Sequence, residues 1–183
     1  AGKESAGPKD ADAGLLKGAV YAICPAPSAT EEATKSIVAM IQAIGAKPYF
    51  VDPGEHDSYV GAVSHLPFLL SVSLINTTTK SPGWREMSRL ASTGFRDISR
   101  LASGDPVMHR DIAVTNRDAV VHWLDEIIKN LHGLRNLVKD DQEGLEKALV
   151  DAWEGRARWL INRDADETLV GEGVKSSDQF MGM

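Results

Sequence analysis

Cysteine occurs once in the 183 residues, at Cys24, so an intrachain disulfide is excluded. A lone thiol beside Pro25 at the end of an apolar run reads as a packed small residue. Cys/His spacing of the zinc type is missing, and no metal site is expected. No G-x-G-x-x-G turn follows a strand-like run and there is no P-loop, so this stretch lacks a phosphate cradle and is not expected to bind a dinucleotide tightly by itself. Basic charge is also short: 20 Lys and Arg stand against 26 Asp and Glu, for a net charge of -6. That balance excludes a general nucleic-acid binder, which needs a basic surface to neutralise phosphates. A small anion held by a few local arginines is not excluded. We read no basic-then-apolar leader and no apolar run of about 18 residues that would span a bilayer, so a cytoplasmic protein without a membrane or nucleic-acid partner is the expectation.

What is present suits a folded chain. The hydrophobic fraction of 43% and charged fraction of 25% allow a sizeable core in one domain, or in a small domain plus part of another. Residues 18–24 form a short apolar run, stopped by Pro25 and Pro27, that reads as a buried strand. Ser28 and Glu31 have the spacing of a capping box. Ala33, Ile37, Met40, Ile41 and Ile44 then recur at helical spacing up to Gly45, and residues 48–51 read as a second strand. Strand, helix and strand with short connections make a βαβ unit with a parallel pair, whose open edges call for a larger sheet.

The character changes at Asp52-Pro53, a helix start. Helical patterning runs from there to about Thr79, with a kink expected at Pro67, whose ring clashes with the Val63 carbonyl. Shorter helices are expected over 84–90 and 95–102, and Asp105-Pro106 opens another. Residues 117–139 carry an apolar stripe of Val120, Leu124, Ile127, Leu131, Leu134 and Val138. Residues 142–163 carry a further one. The fold class expected is therefore mainly α with a small α/β part. Residues 1–52 form a partial Rossmann βαβ unit, residues 53–163 an all-helical substrate-binding and dimerisation domain, and residues 164–183 a disordered tail.

Two segments hold the residues fit for chemistry. Asp57, Gly61 and His65 lie on one helix face at i, i+4 and i+8, with Gly61 leaving room for a close approach and His65 just before the kink. Taken alone, His65 reads more readily as a satisfied interior histidine. In the second segment Arg96 and Arg100 lie one turn apart, and guanidinium forks suit carboxylates. Taken alone, these too read more readily as a solvated helix with Asp97 pairing Arg100.

Order and separation change that balance. Ser64-His65-Leu66-Pro67, followed by Gly94-Phe95-Arg96-Asp97, Arg100, Ala102 and Asp105-Pro106, resembles the prephenate dehydrogenase family. The opening Ala1-Gly2, Glu4 and Gly7 match the end of that family's H-P-[MI]-A-G-x-E-x-x-G stretch. The resemblance runs from Ala1 to about Val138. It implies hydride transfer from prephenate, or its amino analogue arogenate, to NAD or NADP with loss of carbon dioxide, feeding tyrosine synthesis. It also implies a Rossmann domain followed by a helical domain that joins two subunits into a homodimer.

By motif matching, Arg100 would be the main binder of a substrate carboxylate and His65 would orient the substrate. Ser64, Arg96 and His109 would line the pocket, and Glu4 and Asp97 would form ion pairs at its mouth. The family's catalytic histidine would lie immediately upstream of Ala1, so none is expected within this chain, which alone should be inactive. Two departures stand out: Phe68 where a second histidine is frequent, and His109 where an aromatic such as Trp is common. Competing readings are a catalytically inert helical dimerisation module and an arogenate or amino-prephenate variant. A hydroxyacid dehydrogenase is disfavoured by the two arginines.

Overall fold

The computed structural model describes Lys9 and residues 11–173, with side chains described through Arg163. Strand β1 (Val20–Ile23) pairs in parallel with β2 (Lys47–Phe50), Val20 opposite Lys47 and Ile23 opposite Phe50, and helix α1 (Glu31–Ala43) crosses between them. The expected βαβ unit is therefore present, and each strand has a single partner among the described residues. Ile41, fully buried, packs with Ile23 and Ala46 into a small core. Gly45 ends α1 with a φ of 75°, a left-handed conformation that a side chain would strain.

Two local expectations need correction here. The N-cap of α1 is Thr30, whose hydroxyl accepts from the Ala33 N–H at 3.2 Å, and not Ser28. Pro27 precedes Ser28 and fixes its own φ, so the helix begins two residues later. Cys24 is exposed, not packed: it falls one residue beyond the end of β1, where alternation no longer turns a side chain inward.

Helices α2 (Pro53–Val60) and α3 (Leu66–Thr79) are joined by a single π-helical turn, Gly61–His65. Asp52 caps α2, its carboxylate accepting from the N–H groups of Gly54 and Glu55. The kink expected at Pro67 takes the form of this π turn. Leu66 N–H reaches back five residues to the Gly61 carbonyl, which widens the helix just ahead of the proline ring. Because the helix continues through Pro67, Pro53–Thr79 forms a run long and apolar enough, by length and composition, to cross a membrane. That corrects the reading that no such run exists: the proline had been taken to divide it. The run is an interior packing element instead, since Ser71 is fully buried and bonds across to a neighbouring turn.

Helices α4 (Trp84–Leu90) and α5 (Thr93–Ser99) follow, then a 3-10 turn (Arg100–Ser103) and α6 (Pro106–Thr115). Asp105 caps α6 through the Met108 N–H at 2.7 Å. Helix α7 (Arg117–Asp140) carries the stripe read from sequence, and α8 (Gln142–Gly173) extends beyond Arg163, where the tail was expected to begin. The rest of that tail, residues 174–183, lies outside the described residues. By contacts the chain divides into two compact units, one through Glu126 and one from Ile127.

Candidate functional site

The π turn positions the site. Helix widening at Gly61–His65 sets the carbonyls of Asp57 and Ser58 one turn upstream, and each takes a donor from later helices. Asn116, at the joint between α6 and α7, donates from Nδ2 to the Asp57 carbonyl at 2.8 Å. Trp123, in α7, donates from Nε1 to the Ser58 carbonyl at 2.9 Å. Gly61 is buried at this crossing, where a Cβ would stand 3.2 Å from both Ala119 Cβ and Trp123 Cδ1. The close approach that the sequence assigned to Gly61 is thus made by α7.

His65 closes the π turn, partly buried, with Nδ1 3.3 Å from Asn116 Nδ2. Its pKa lies below the ordinary histidine value. Desolvation is the main cause; Asp57 opposes it, and His109 and His56 add to it. His56 and Asp57 bond each other at 3.1 Å. One turn further on, Phe68 stacks flat on His109, with ring centroids 3.7 Å apart and planes 10° from parallel. His109 Nδ1 lies 2.8 Å from the Asp105 carbonyl, so that ring is fixed on its edge as well as its face. Gly104 makes room for it: a Cβ there would come within 2.5 Å of His109 Cε1. The two residues that depart from the family pattern therefore pack against one another.

The arginines stand differently. The helix carrying them tightens to three residues per turn at Arg100, so Arg96 and Arg100 are not held in one regular α-helical row. Arg96 is exposed and pairs with Asp97, Nε to Oδ1 at 3.3 Å. Arg100 opens the 3-10 turn, and that turn is docked on α3 by the Ala102 N–H, which donates to Ser71 Oγ at 2.9 Å. His65 and Arg100 are thus carried by elements that pack together, while Arg96 and Asp97 face outward. Ser64 is exposed next to His65, and Glu4 lies outside the described residues.

An open hollow of about 650 Å³ is walled by Gly54, Asp57, Ser58, Asn116, Ala119 and His122, among others. Its walls do not include His65, Arg96 or Arg100. Asn116 and Trp123 were missed from sequence. The only available signal for Asn116 was its place before Arg117, between two helical patterns, where Asn is a frequent helix terminator.

The fold is that of dehydrogenases. Over 86% of this chain and 56% of the other it is similar to the crystal structure of prephenate dehydrogenase from A. aeolicus in complex with hydroxyphenyl propionate and NAD+, with a TM-score of 0.80 and 26% identity. It is also similar to the Synechocystis arogenate dehydrogenase structure, over 79% of this chain and 54% of that one, with a TM-score of 0.72 and 28% identity. The particular family is set by sequence: the model described as prephenate dehydrogenase, dimerization domain, matches residues 52–151. A prephenate dehydrogenase of Bacillus subtilis is 31% identical over 147 residues, 79% of this chain. The chain belongs to the prephenate dehydrogenase family. It spans 40% of the length of the Bacillus relative and little over half of each solved chain.

Proposed function

We infer that this chain is the substrate-binding and subunit-pairing part of an NAD(P)-dependent prephenate dehydrogenase, a cytoplasmic enzyme of tyrosine biosynthesis. The reaction is oxidative decarboxylation of prephenate to 4-hydroxyphenylpyruvate. An arogenate or amino-prephenate substrate is the close variant. The supporting observation is the joining of two elements: the π turn that ends in His65, and the 3-10 turn that begins at Arg100, docked on the same continuous helix through Ser71. An imidazole that resists protonation can donate to an oxygen without adding charge, and a guanidinium fork suits one carboxylate of a dicarboxylate substrate. Arg96, already shared with Asp97 in water, adds diffuse positive charge and little directed binding. Ser64 and His109 complete the set of substrate-facing candidates. No residue of this chain is assigned the catalytic role.

The residues present do not fit the dinucleotide. The β1–α1 connection has Pro25 and Pro27 where a pyrophosphate needs backbone N–H donors. The hollow beside α1 is walled by Glu31 and Glu32 together with Thr30, Lys35, Ser36 and Ala39, and its two carboxylates disfavour phosphate. NAD or NADP binding is thus assigned to parts of the enzyme that this chain does not span, and the chain alone is expected not to turn over prephenate. Pairing of two copies is supported by the match to a dimerization domain and by the apolar side chains exposed on α7 and α8.

The test is Arg100→Ala in the complete enzyme. Losing a charged hydrogen bond to a carboxylate should raise KM for the dicarboxylate by about 2–3 kcal/mol, with Arg96→Ala costing much less. Unchanged kinetics for Arg100→Ala would remove the assigned role.

A further inference from the structure

The geometry points to Asn116 as a positioning residue that fixes the tautomer of His65, leaving Nδ1 as an acceptor and Nε2–H as the one donor the ring can offer a bound oxygen. The argument starts from a group whose role is beyond choice. The Asp57 carbonyl can only accept, and it lies 2.8 Å from the terminal amide of Asn116. The amide atom facing it must therefore be the NH2 nitrogen, because the opposite orientation would set two oxygens against each other. That same nitrogen lies 3.3 Å from His65 Nδ1. Its second hydrogen has Nδ1 to bond, and a protonated Nδ1 would place two donors face to face. The neutral ring with its proton on Nε2 satisfies all three groups.

Other contacts keep the amide in place. Asn116 lies at the helix joint, its own N–H bonded to the Ile112 carbonyl at 3.0 Å and its carbonyl accepting from the Val120 N–H at 3.0 Å. The peptide is thus tied into α6 on one side and α7 on the other. The titratable groups acting on the ring are Asp57 and His56 on α2 and His109 on α6. Of these, Asp57 alone favours the imidazolium, and His109 and His56 oppose it along with burial. The same amide therefore reads the upstream carbonyl through one hydrogen and sets the ring through the other, linking the π turn to the state of the histidine.

This inference rests on the proposed substrate role of His65 only for its purpose, and its test does not use substrate. The 183-residue chain is labelled with 15N, and the long-range imidazole cross peaks of His65 are followed through a pH titration. The expected result is a neutral ring protonated at Nε2, with a midpoint below that of an ordinary histidine. Asn116→Asp replaces the donor by a carboxylate that can only accept. Its expected result is transfer of the ring proton to Nδ1 and a midpoint raised by about one pH unit. Asn116→Ala should leave the tautomers mixed. A wild-type ring protonated at Nδ1 would overturn the proposal, and that measurement needs no variant to fold. So would an Asn116→Asp chain with an unchanged tautomer and midpoint, the outcome expected if Asn116 merely tied down the Asp57 carbonyl. Hydroxyphenyl propionate binding tests the functional reading separately, since the tautomer can hold whether or not that ligand binds.

Discussion

Replacing Gly61 by alanine sets two known effects against each other. Gly61 has φ -53° and ψ -47°, ordinary helical values, so its backbone does not require glycine. On helix propensity alone the change should stabilise by up to about 1 kcal/mol. The new methyl, however, would stand 3.2 Å from Ala119 Cβ and 3.2 Å from Trp123 Cδ1. Neither neighbour can give cheaply. Ala119 Cβ is one bond from the α7 backbone, and the Trp123 ring is held by its Nε1 bond to Ser58. Overpacking of this kind costs about 1–3 kcal/mol, which exceeds the propensity gain. The net expectation is destabilisation by about 1 kcal/mol, with the Trp123–Ser58 bond lengthened. Urea unfolding followed by the indole N–H signal of Trp123 reads both effects. Gly133→Ala is the control: it is also in α7, with nothing within 4 Å of the added methyl, and should stabilise. If Gly61→Ala were as stable as wild type with its Trp123 signal unmoved, the close crossing of α7 over the π turn would be wrong.

Ser71→Ala should cost about 1–2 kcal/mol, because it leaves the Ala102 N–H without its partner, and the Ala102 amide should lose hydrogen-exchange protection. Unchanged protection would mean that the 3-10 turn bearing Arg100 is held by other contacts. His65 has a folded-state pKa below its ordinary value, so between those two values the unfolded chain binds more protons than the folded one. Its contribution to stability is intact above about pH 6.5 and is lost as pH falls through the folded value. His65→Gln should therefore show a flatter stability profile than wild type on acidification from pH 7 to 5, and parallel profiles would contradict the assigned shift.

Elements with strong local punctuation were legible in the sequence. Asp52-Pro53 and Asp105-Pro106 each combine a side chain that caps with a ring that needs no N–H, and both begin helices where expected. The parallel strand pair followed from two short apolar runs around one amphipathic helix. The site was legible only in part. His65 and the Phe68 and His109 departures could be singled out by pattern, yet their stacking depends on Gly104, thirty-six residues from Phe68, and on the turn that places it. Arg96 and Arg100 looked equivalent at i and i+4. They are not, because a tightening of the helix at Arg100 is a response to Ser71 on another element, and no local signal encodes it. Asn116 was silent for a related reason: its chemistry lies in what its two amide hydrogens reach, fifty-one and fifty-nine residues back along the chain.

The stripes on α7 and α8 show a different limit. Periodicity reveals that a helix face is apolar, and it is blind to whether the cover comes from the same chain. Val120 is buried, while Leu131 and Val138 on the same stripe are exposed. In α8, Trp153 is 72% exposed, and Trp159, Leu149 and Ile161 are exposed as well. Full burial of such a side chain contributes about 1.5–3 kcal/mol, so four left in water forgo an amount comparable with the whole stability of a small domain. A chain with a 43% hydrophobic fraction whose fully buried apolar side chains are as few as Ile23, Ile41, Ala46, Val51 and Val120 has not spent its apolar surface on its own core. Charged faces elsewhere on the same helices show that the residues are placed and not scattered. The sequence features that first read as a missing core are therefore better explained as surface made for another copy, which is what membership of a family defined by a dimerization domain leads one to expect.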